Sequence, residues 1–277
     1  LEAEAHLITG STVNTKNLGK VMGEIGVDTE SVAFAGYASS AATLSDTEKE
    51  LGIVLIDIGG GTTSLCVYVD GALSHSAVIP VGAKNITNDI AIGLRVSLDT
   101  AEAIKRNLEP DGVMAKVLDP KNPQSKKQAD EIDLHKLGLK DAPRKISRKA
   151  VVEGIVRPRF NELYELIKSQ LIKAGLGGKT PAGVVVTGGG ALTYLITDAA
   201  KKVLGMQARV AYPSALTGLT DEIKSPEYST VIGLIMLQAQ NSDETSPTTF
   251  SMPKFNFSLK SLGGGHKIID FIKSFLP

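Results

Sequence analysis

A glycine triplet that closely follows an aspartate is the segment with the clearest chemical potential. The apolar run 53–58 contains Asp57 near its end and is followed by Gly59, Gly60 and Gly61. Glycines let backbone N–H groups approach a phosphate, because no side chain stands in the way. The hydroxyls of Thr62 and Thr63 add donors, and Asp57 is a candidate Mg²⁺ ligand, through water because Mg²⁺ dehydrates reluctantly. We predict a phosphate site here, and the alternative is a tight glycine turn inside a hairpin.

A second glycine cluster lies far downstream in a similar setting. Gly188, Gly189 and Gly190 follow the apolar run Val184–Val186 and precede a helical pattern. Such a loop lets backbone lie flat against a base or ribose, and the helix start adds a partial positive charge. Ordinary strand–helix packing is the alternative for this loop alone. Two such loops in one chain favour a nucleotide site.

Glu102 and Lys105 form a third candidate element. They are three residues apart in a helical pattern, so they share one helix face and could point into one cleft. A solvated ion pair is the preferred interpretation of these two residues alone. The four histidines are scattered without metal-ligand spacing, and no Ser/His/Asp arrangement is suggested.

Strand-like runs alternate with helical patterns, which predicts an α/β architecture. The predicted strands are Ala5–Thr9, Val32–Ala35, Ile53–Ile58, Val184–Val186, Ala208–Ala211 and a hairpin of Ser64–Val69 with Leu73–Ile79 around Asp70-Gly71. A further small hairpin is expected from residues 113–118 and 131–139. The predicted helices are Asn17–Ile25, Ser39–Lys49, Asn85–Leu94, Asp99–Asn107, Arg148–Ala174, Ala191–Leu204 and Ser229–Gln240.

Composition narrows the class of protein. The 277 residues suffice for one large or two ordinary domains. Lys plus Arg equal Asp plus Glu at 30 each, which argues against a nucleic-acid partner. The single cysteine, Cys66, excludes an internal disulfide and fits a reducing cytosol. Leu1 begins the sequence next to the first predicted strand, so we treat the chain as a fragment.

The last residues predict a membrane-binding helix behind a flexible linker. Residues 241–265 are rich in Ser, Thr, Pro and Gly, as in a tether, and residues 266–277 follow as a short helical pattern. At 100° per residue its apolar side chains fall in one arc, namely Ile268, Ile269, Phe271, Ile272, Phe275 and Leu276. Lysines lie on the polar arc, as in helices that bind membrane surfaces. Docking on the protein's own domain is the alternative.

Together, the two glycine loops resemble the superfamily of actin, sugar kinases and heat-shock chaperones, and the connecting segments resemble the bacterial cell-division family FtsA. The resemblance runs from Leu1 to about Gln240. It is carried, in order and spacing, by residues 34–40, 50–52, 71–73, 87–91, 101–105, 157–159, 187–191, 217–219 and 228–234.

The resemblance implies an actin-like, ribonuclease-H-like two-domain fold. Residues 1–51 would be the remainder of the first domain, and residues 52–240 the second domain, with residues 90–180 inserted as a smaller lobe. The loop with Asp57 would hold the phosphates of ATP with Mg²⁺. Glu102 and Lys105 would reach the ribose and base, and Gly188–Gly190 the adenosine. The family usually has Asp where this sequence has Ser64, and its first phosphate loop has no counterpart here.

The function implied is a tether at the division site. The protein would polymerise with copies of itself and anchor the FtsZ ring to the cytoplasmic face of the cell membrane. The C-terminal tail of FtsZ would bind the smaller lobe, and the intact protein would be at most a slow ATPase. One alternative is the actin-like protein of type IV pilus machines, which lacks the terminal helix. A sugar or acetate kinase of the same superfamily is the second.

Overall fold

One five-stranded mixed sheet organises the chain. The computed structural model describes residues 5–109, 130–136, 138–139, 144–214 and 223–244. The strands are β1 (Ile53–Ile58), β2 (Thr63–Val69), β3 (Ala72–Ile79), β4 (Glu131–Asp133), β5 (Lys145–Ser147), β6 (Val184–Thr187) and β7 (Ala208–Val210). The α-helices are α1 (Thr12–Glu24), α2 (Ala35–Thr43), α3 (Asp46–Leu51), α4 (Ala83–Leu94), α5 (Leu98–Arg106), α6 (Arg148–Val151), α7 (Arg157–Lys173), α8 (Ile196–Leu204) and α9 (Ser229–Glu244).

The sheet has the strand order β3-β2-β1-β6-β7. β1, β2 and β3 form an antiparallel meander, while β1, β6 and β7 are parallel to one another. The β2–β3 turn places Asp70 and Gly71 at φ 51° and 78°. Two positive φ angles characterise the type I′ turn that joins twisted strands, which confirms the predicted hairpin.

Both faces of β1 are covered, as its continuous apolar run predicts. Every residue of β1 is buried. On one face, Val54, Ile56 and Ile58 belong to the larger core cluster with residues of α4, α5, α7 and α8. On the other face, Ile53 and Leu55 pack in a second cluster. A strand buried on both faces forms a rigid platform for the loops at its ends.

Several predicted elements differ from those observed. Residues 5–11 are not a strand, and neither is Val32–Ala35, where Val32 is 58% exposed and α2 begins at Ala35. The predicted helix Ser39–Lys49 is interrupted at Leu44-Ser45, because Ser45 and Glu48 form a capping box that starts α3. β4 pairs with β5, and residues 113–118 lie outside the described ranges.

The long helix predicted for Arg148–Ala174 is confirmed, with a π-helical turn at Val152–Val156. Pro158 has no N–H and cannot donate to the carbonyl of Gly154, four residues earlier. Helical turns of this kind are common at functional positions. Among the described residues, no helix combines the length and apolar character needed to cross a bilayer.

The described residues up to Asn241 belong to one compact unit. The domain boundary predicted between residues 51 and 52, and the inserted lobe of residues 90–180, stay predictions. α9 continues to Glu244, past the predicted end at Gln240. The rest of the predicted linker, and all of the amphipathic segment 266–277, lie outside the described residues.

Candidate functional site

The two predicted glycine loops lie side by side at one edge of the sheet. Asp57 of β1 is in register with Thr187 of the parallel strand β6, so both loops leave the same edge. A Cβ on Gly188 would lie 2.3 Å from Oδ1 of Asp57, and Gly188 has φ +81°, which favours glycine. Loops far apart in sequence are thus brought into contact around Asp57.

Asp57 is a buried carboxyl group held by two hydroxyls. It is 8% exposed, and its Oδ2 accepts hydrogen bonds from Ser39 Oγ at 2.6 Å and Thr230 Oγ1 at 3.1 Å. Burial raises the pKa of Asp57 above its ordinary value, and the two hydrogen bonds oppose that shift. Ser39 comes from α2 and Thr230 from the first turn of α9. Sequence reasoning did not identify either hydroxyl as part of the site.

The first loop has an open face lined by backbone donors. Gly59 N donates to Thr62 O at 2.9 Å, which closes a tight turn. Gly60 and Gly61 are exposed, and a Cβ on Gly61 would meet nothing within 4 Å. Among the described residues, the N–H groups of Gly60, Gly61 and Thr62 have no hydrogen-bond acceptor. Successive free backbone N–H groups suit an anion.

The hydroxyl of Thr63 is directed away from this open face. Thr63 is fully buried, and its Oγ1 donates to Val81 O at 2.7 Å. Thr62 is exposed. Of the two predicted hydroxyl donors, only Thr62 is therefore accessible to a bound group in this structure.

The start of α4 packs against the first loop. Ala83 N donates to Gly59 O at 2.9 Å, and Lys84 N donates to Gly60 O at 2.8 Å. These bonds satisfy N–H groups that the first turn of a helix otherwise leaves unpaired. A Cβ on Gly82 would lie 2.5 Å from Gly60 O, so this close approach requires glycine. Sequence reasoning missed this role of Gly82.

Glu102 and Lys105 form a partly buried ion pair behind α4. Lys105 is 8% exposed, and its Nζ donates to Glu102 Oε2 at 2.7 Å, to Thr87 Oγ1 at 2.9 Å and to Ala83 O at 3.4 Å. Burial alone raises the pKa of Glu102, but hydrogen bonds from Lys105 and Thr87 outweigh it and hold that pKa below its ordinary value. The interpretation as a solvated pair is wrong for Lys105. The side chain of Lys105 stabilises the first turn of α4, and that turn donates hydrogen bonds to the first loop.

Packing explains two of the three glycines in the second loop. A Cβ on Gly190 would lie 2.4 Å from Cγ2 of Ile58, and Gly188 lies against Asp57. Gly189 is exposed, and the nearest atom to a Cβ there would be Glu227 Cβ at 3.8 Å. Close packing onto β1 thus accounts for Gly188 and Gly190, while Gly189 leaves the loop surface open.

The donor set around Asp57 fits Mg²⁺ only with the help of water or phosphate oxygens. No cluster of three or more His, Cys, Asp or Glu residues suited to a metal occurs within the described residues. Within the same residues, Oδ1 of Asp57 accepts no hydrogen bond, so one carboxylate oxygen is free for such a role. Ser64 stands directly opposite Asp57 in the β1–β2 register and is buried. A hydroxyl there supplies no second negative charge.

Known structures share this fold at low sequence identity. MreB5 of Spiroplasma citri bound to ADP aligns with a TM-score of 0.61 and 19% identity, over 85% of this chain and 68% of that one. The MamK double helical filament aligns with a TM-score of 0.57 and 15% identity, over 83% of this chain and 66% of that one. The fold is therefore actin-like, as predicted.

Comparison with known sequences adds the protein family to the fold. The chain is 34% identical over 244 residues to the cell division protein FtsA of Pseudomonas aeruginosa, which is 88% of this chain and 56% of that protein. It is 35% identical over 236 residues to FtsA of Borreliella burgdorferi, which is 85% of this chain and 54% of that protein. The chain thus spans about half the length of these relatives. The family profile described as "Cell division protein FtsA" matches residues 54–233, and this chain belongs to that family.

Proposed function

We propose that this chain binds ATP with Mg²⁺ at the paired glycine loops, as part of a protein that anchors FtsZ filaments to the cell membrane. The observation that carries the proposal is the open row of N–H groups at Gly60, Gly61 and Thr62 beside the carboxyl group of Asp57. A related fold, MreB5, has been solved with ADP bound, which supports a nucleotide as the ligand. Family membership favours this function over the pilus and kinase alternatives.

The residues of this chain have distinct roles in the proposed site. The N–H groups of the first loop would hold phosphate oxygens, and Asp57 would hold the waters around Mg²⁺, whose charge offsets that of the phosphates. The surface left open at Gly189 would face the adenosine. ATP binding would stabilise the polymerising form, and any hydrolysis would be slow. The sequence holds one of the two phosphate loops implied by the family, so we expect this chain to bind ATP weakly.

The substitution Gly61→Ala tests the site with little disturbance of the fold. Because a Cβ at residue 61 meets no atom within 4 Å, stability should change by less than about 0.5 kcal/mol. The new methyl group would occupy the space assigned to phosphate, so affinity for Mg-ATP should fall roughly tenfold, or about 1.4 kcal/mol. Calorimetric titration measures the affinity, and thermal denaturation the stability.

Gly177→Ala is the matched control. Residue 177 also has no neighbour within 4 Å of a Cβ, and it precedes the amino end of β6, at the edge of the sheet opposite the glycine loops. This variant should bind Mg-ATP as the wild type does. Equal affinity of Gly61→Ala and wild type, or no binding by the wild type at millimolar ATP, would refute the nucleotide assignment.

The tail of FtsZ has a candidate groove between α4 and the π-helical turn. Its volume is about 330 Å³, and it is lined by Asp89, Ile92, Gly93, Gly154, Ile155, Pro158, Arg159 and Glu162. Ile92 is 76% exposed there. Arg159 donates to both oxygens of Asp89, at 2.6 and 2.9 Å, and to Glu162 at 2.6 Å. The exposed side chain of Ile92 suits an apolar residue of a short peptide, while Arg159 is already paired with the carboxylates of Asp89 and Glu162.

Binding of a synthetic FtsZ tail peptide to this chain tests the groove. Ile92→Asp should weaken binding at least tenfold, because it places a charge on the apolar contact. Ile172→Asp is the control, since Ile172 is 66% exposed near the other end of the long helix. If both variants bind the peptide as the wild type does, the tail binds elsewhere.

Membrane attachment is proposed from the sequence of residues 266–277. Burying about five large apolar side chains gains roughly 7 to 15 kcal/mol, at about 1.5 to 3 kcal/mol each. Ordering about ten residues costs roughly 1 to 2 kcal/mol each, which offsets most of that gain. One helix should therefore bind reversibly. Firm attachment would require a polymer that presents many helices, and a filament of the same fold, that of MamK, supports self-assembly.

Vesicle sedimentation tests the anchor. Phe271→Glu places a charge on the apolar arc and should release the chain from anionic vesicles. Ser274→Glu adds the same charge on the polar arc and should retain most of the binding. Equal release by both variants would indicate a general charge effect, and retention by Phe271→Glu would exclude this helix as the anchor.

A further inference from the structure

Lys84 lies against the first glycine loop in a way that neither the motif nor the family roles assign. Its backbone N–H donates to Gly60 O at 2.8 Å. Its side chain then runs along the same glycine, since a Cβ on Gly60 would lie 3.4 Å from Cε, 3.6 Å from Cδ and 3.7 Å from Cγ of Lys84. The ammonium group, one bond beyond Cε, is thus carried beside the loop whose N–H groups are open.

The charges around the loop make this cation notable. Asp57 lies on the strand that leads into the loop, and Lys105, which contacts the first turn of α4, already donates to Glu102, Thr87 and Ala83. Lys84 is exposed, and its ammonium makes no hydrogen bond or ion pair with any residue that the structure describes. An exposed lysine beside free backbone N–H groups can supply charge to a bound phosphate as a point cation.

We propose that Lys84 is a phosphate-binding residue of this site, and that its ammonium contacts the phosphate groups held by Gly60 and Gly61. The proposal rests on the proposed nucleotide function and adds a positive charge to a loop whose own donors, the N–H groups and the Thr62 hydroxyl, are uncharged. Lys84 acts on phosphate and leaves the recognition of adenosine to other residues. Its contribution should also weaken with ionic strength, because the lysine is exposed.

Titrations of the wild-type chain and Lys84→Gln with tripolyphosphate and with adenosine, followed by NMR, separate these contributions. Lys84→Gln should weaken tripolyphosphate binding roughly fivefold, as expected for a solvent-exposed ionic contact, and leave adenosine binding unchanged. Lys84→Arg should retain most of the affinity. Lys173→Gln is the control, because Lys173 is exposed at the end of α7, in the connection to the amino end of β6.

The results of these titrations separate the role of Lys84 from the nucleotide site as a whole. Unchanged tripolyphosphate binding by Lys84→Gln overturns the role of Lys84 and leaves the proposed nucleotide site standing. Equal losses for tripolyphosphate and adenosine also overturn it, because they indicate a structural effect on α4. If the wild type binds adenosine but not tripolyphosphate, the phosphate assignment of both loop and lysine fails. If it binds neither, the proposed function fails as well.

Discussion

The contact between α2 and α9 gives a sharp prediction about stability. A Cβ on Gly233 of α9 would lie 1.8 Å from Ala38 O and 2.4 Å from Ala38 C in α2. The obstacle is helix backbone, which cannot rotate aside as a side chain can. For Gly233→Ala, the two helices would have to separate by roughly 1.6 Å to restore ordinary van der Waals contact.

The expected loss in free energy of unfolding for Gly233→Ala results from two opposing effects. Overpacking a tight contact costs about 1 to 3 kcal/mol, and a backbone obstacle belongs at the upper end of that range. Alanine in place of glycine inside a helix gains about 1 kcal/mol in propensity. The net loss is therefore about 2 kcal/mol, which corresponds to a decrease in Tm of roughly 4 to 8 °C for a domain of this size.

Separation of the helices would also disturb the candidate site. Thr230 is one turn before Gly233 on α9, and its hydroxyl donates to Asp57 at 3.1 Å. Moving α9 by more than 1 Å would stretch that contact beyond hydrogen-bond distance. Gly233→Ala should therefore weaken Mg-ATP binding as well as lower Tm.

Differential scanning calorimetry and urea denaturation of Gly233→Ala measure the loss, with Gly154→Ala as the control. Gly154 lies in the π-helical turn, and a Cβ there would meet nothing within 4 Å, so alanine should stabilise the fold by up to about 1 kcal/mol. The two glycine-to-alanine changes thus have opposite expected signs. A Tm of Gly233→Ala equal to or above that of the wild type would refute the packing argument.

Two further substitutions test the buried polar groups. Lys105→Met should destabilise by about 1 to 3 kcal/mol in urea denaturation, because it leaves the partly buried Glu102 without its main partner. Arg106→Met removes a mostly exposed partner of the same carboxylate and should cost less than about 0.5 kcal/mol, so equal losses would contradict the burial argument. Because the pKa of Asp57 is raised, the folded state binds its proton more tightly than the unfolded state does. The contribution of Asp57 to the free energy of unfolding is therefore greatest below pH 3.8, and it is lost as the pH rises through the raised pKa. Asp57→Asn cannot ionise, so its Tm relative to the wild type should increase across that window, and a pH-independent difference would contradict the shift.

The sequence predicted the elements whose signals are local. β1 and the Asp70-Gly71 hairpin follow from a continuous apolar run and from one turn dipeptide, and both are confirmed. The strand predicted for Val32–Ala35 was wrong, because four apolar residues do not distinguish a strand from a loop that enters a helix. The break at Leu44-Ser45 required recognition of the capping box with Glu48.

The candidate site was predictable only in part, because some of its contacts join residues that are far apart in the sequence. The glycine loops and Asp57 stand out because their residue types are unusual in one short segment. Ser39 and Thr230 contact Asp57 across separations of 18 and 173 residues, and nothing in their neighbours indicates that contact. The burial of Lys105 likewise depends on α4 packing over α5, which a helix-face pattern cannot show.

α4 acts geometrically as a lever between two regions of the molecule. Its first turn is bonded to the carbonyls of Gly59 and Gly60, and Asp89, Ile92 and Gly93 along its far half line the groove beside the π-helical turn. Twelve residues at 1.5 Å each give it a length of about 18 Å. A tilt of about 10° at the glycine loop would displace the far end by roughly 3 Å, enough to open or close a peptide-sized groove. With such a tilt, the width of the groove would follow the position of the loop.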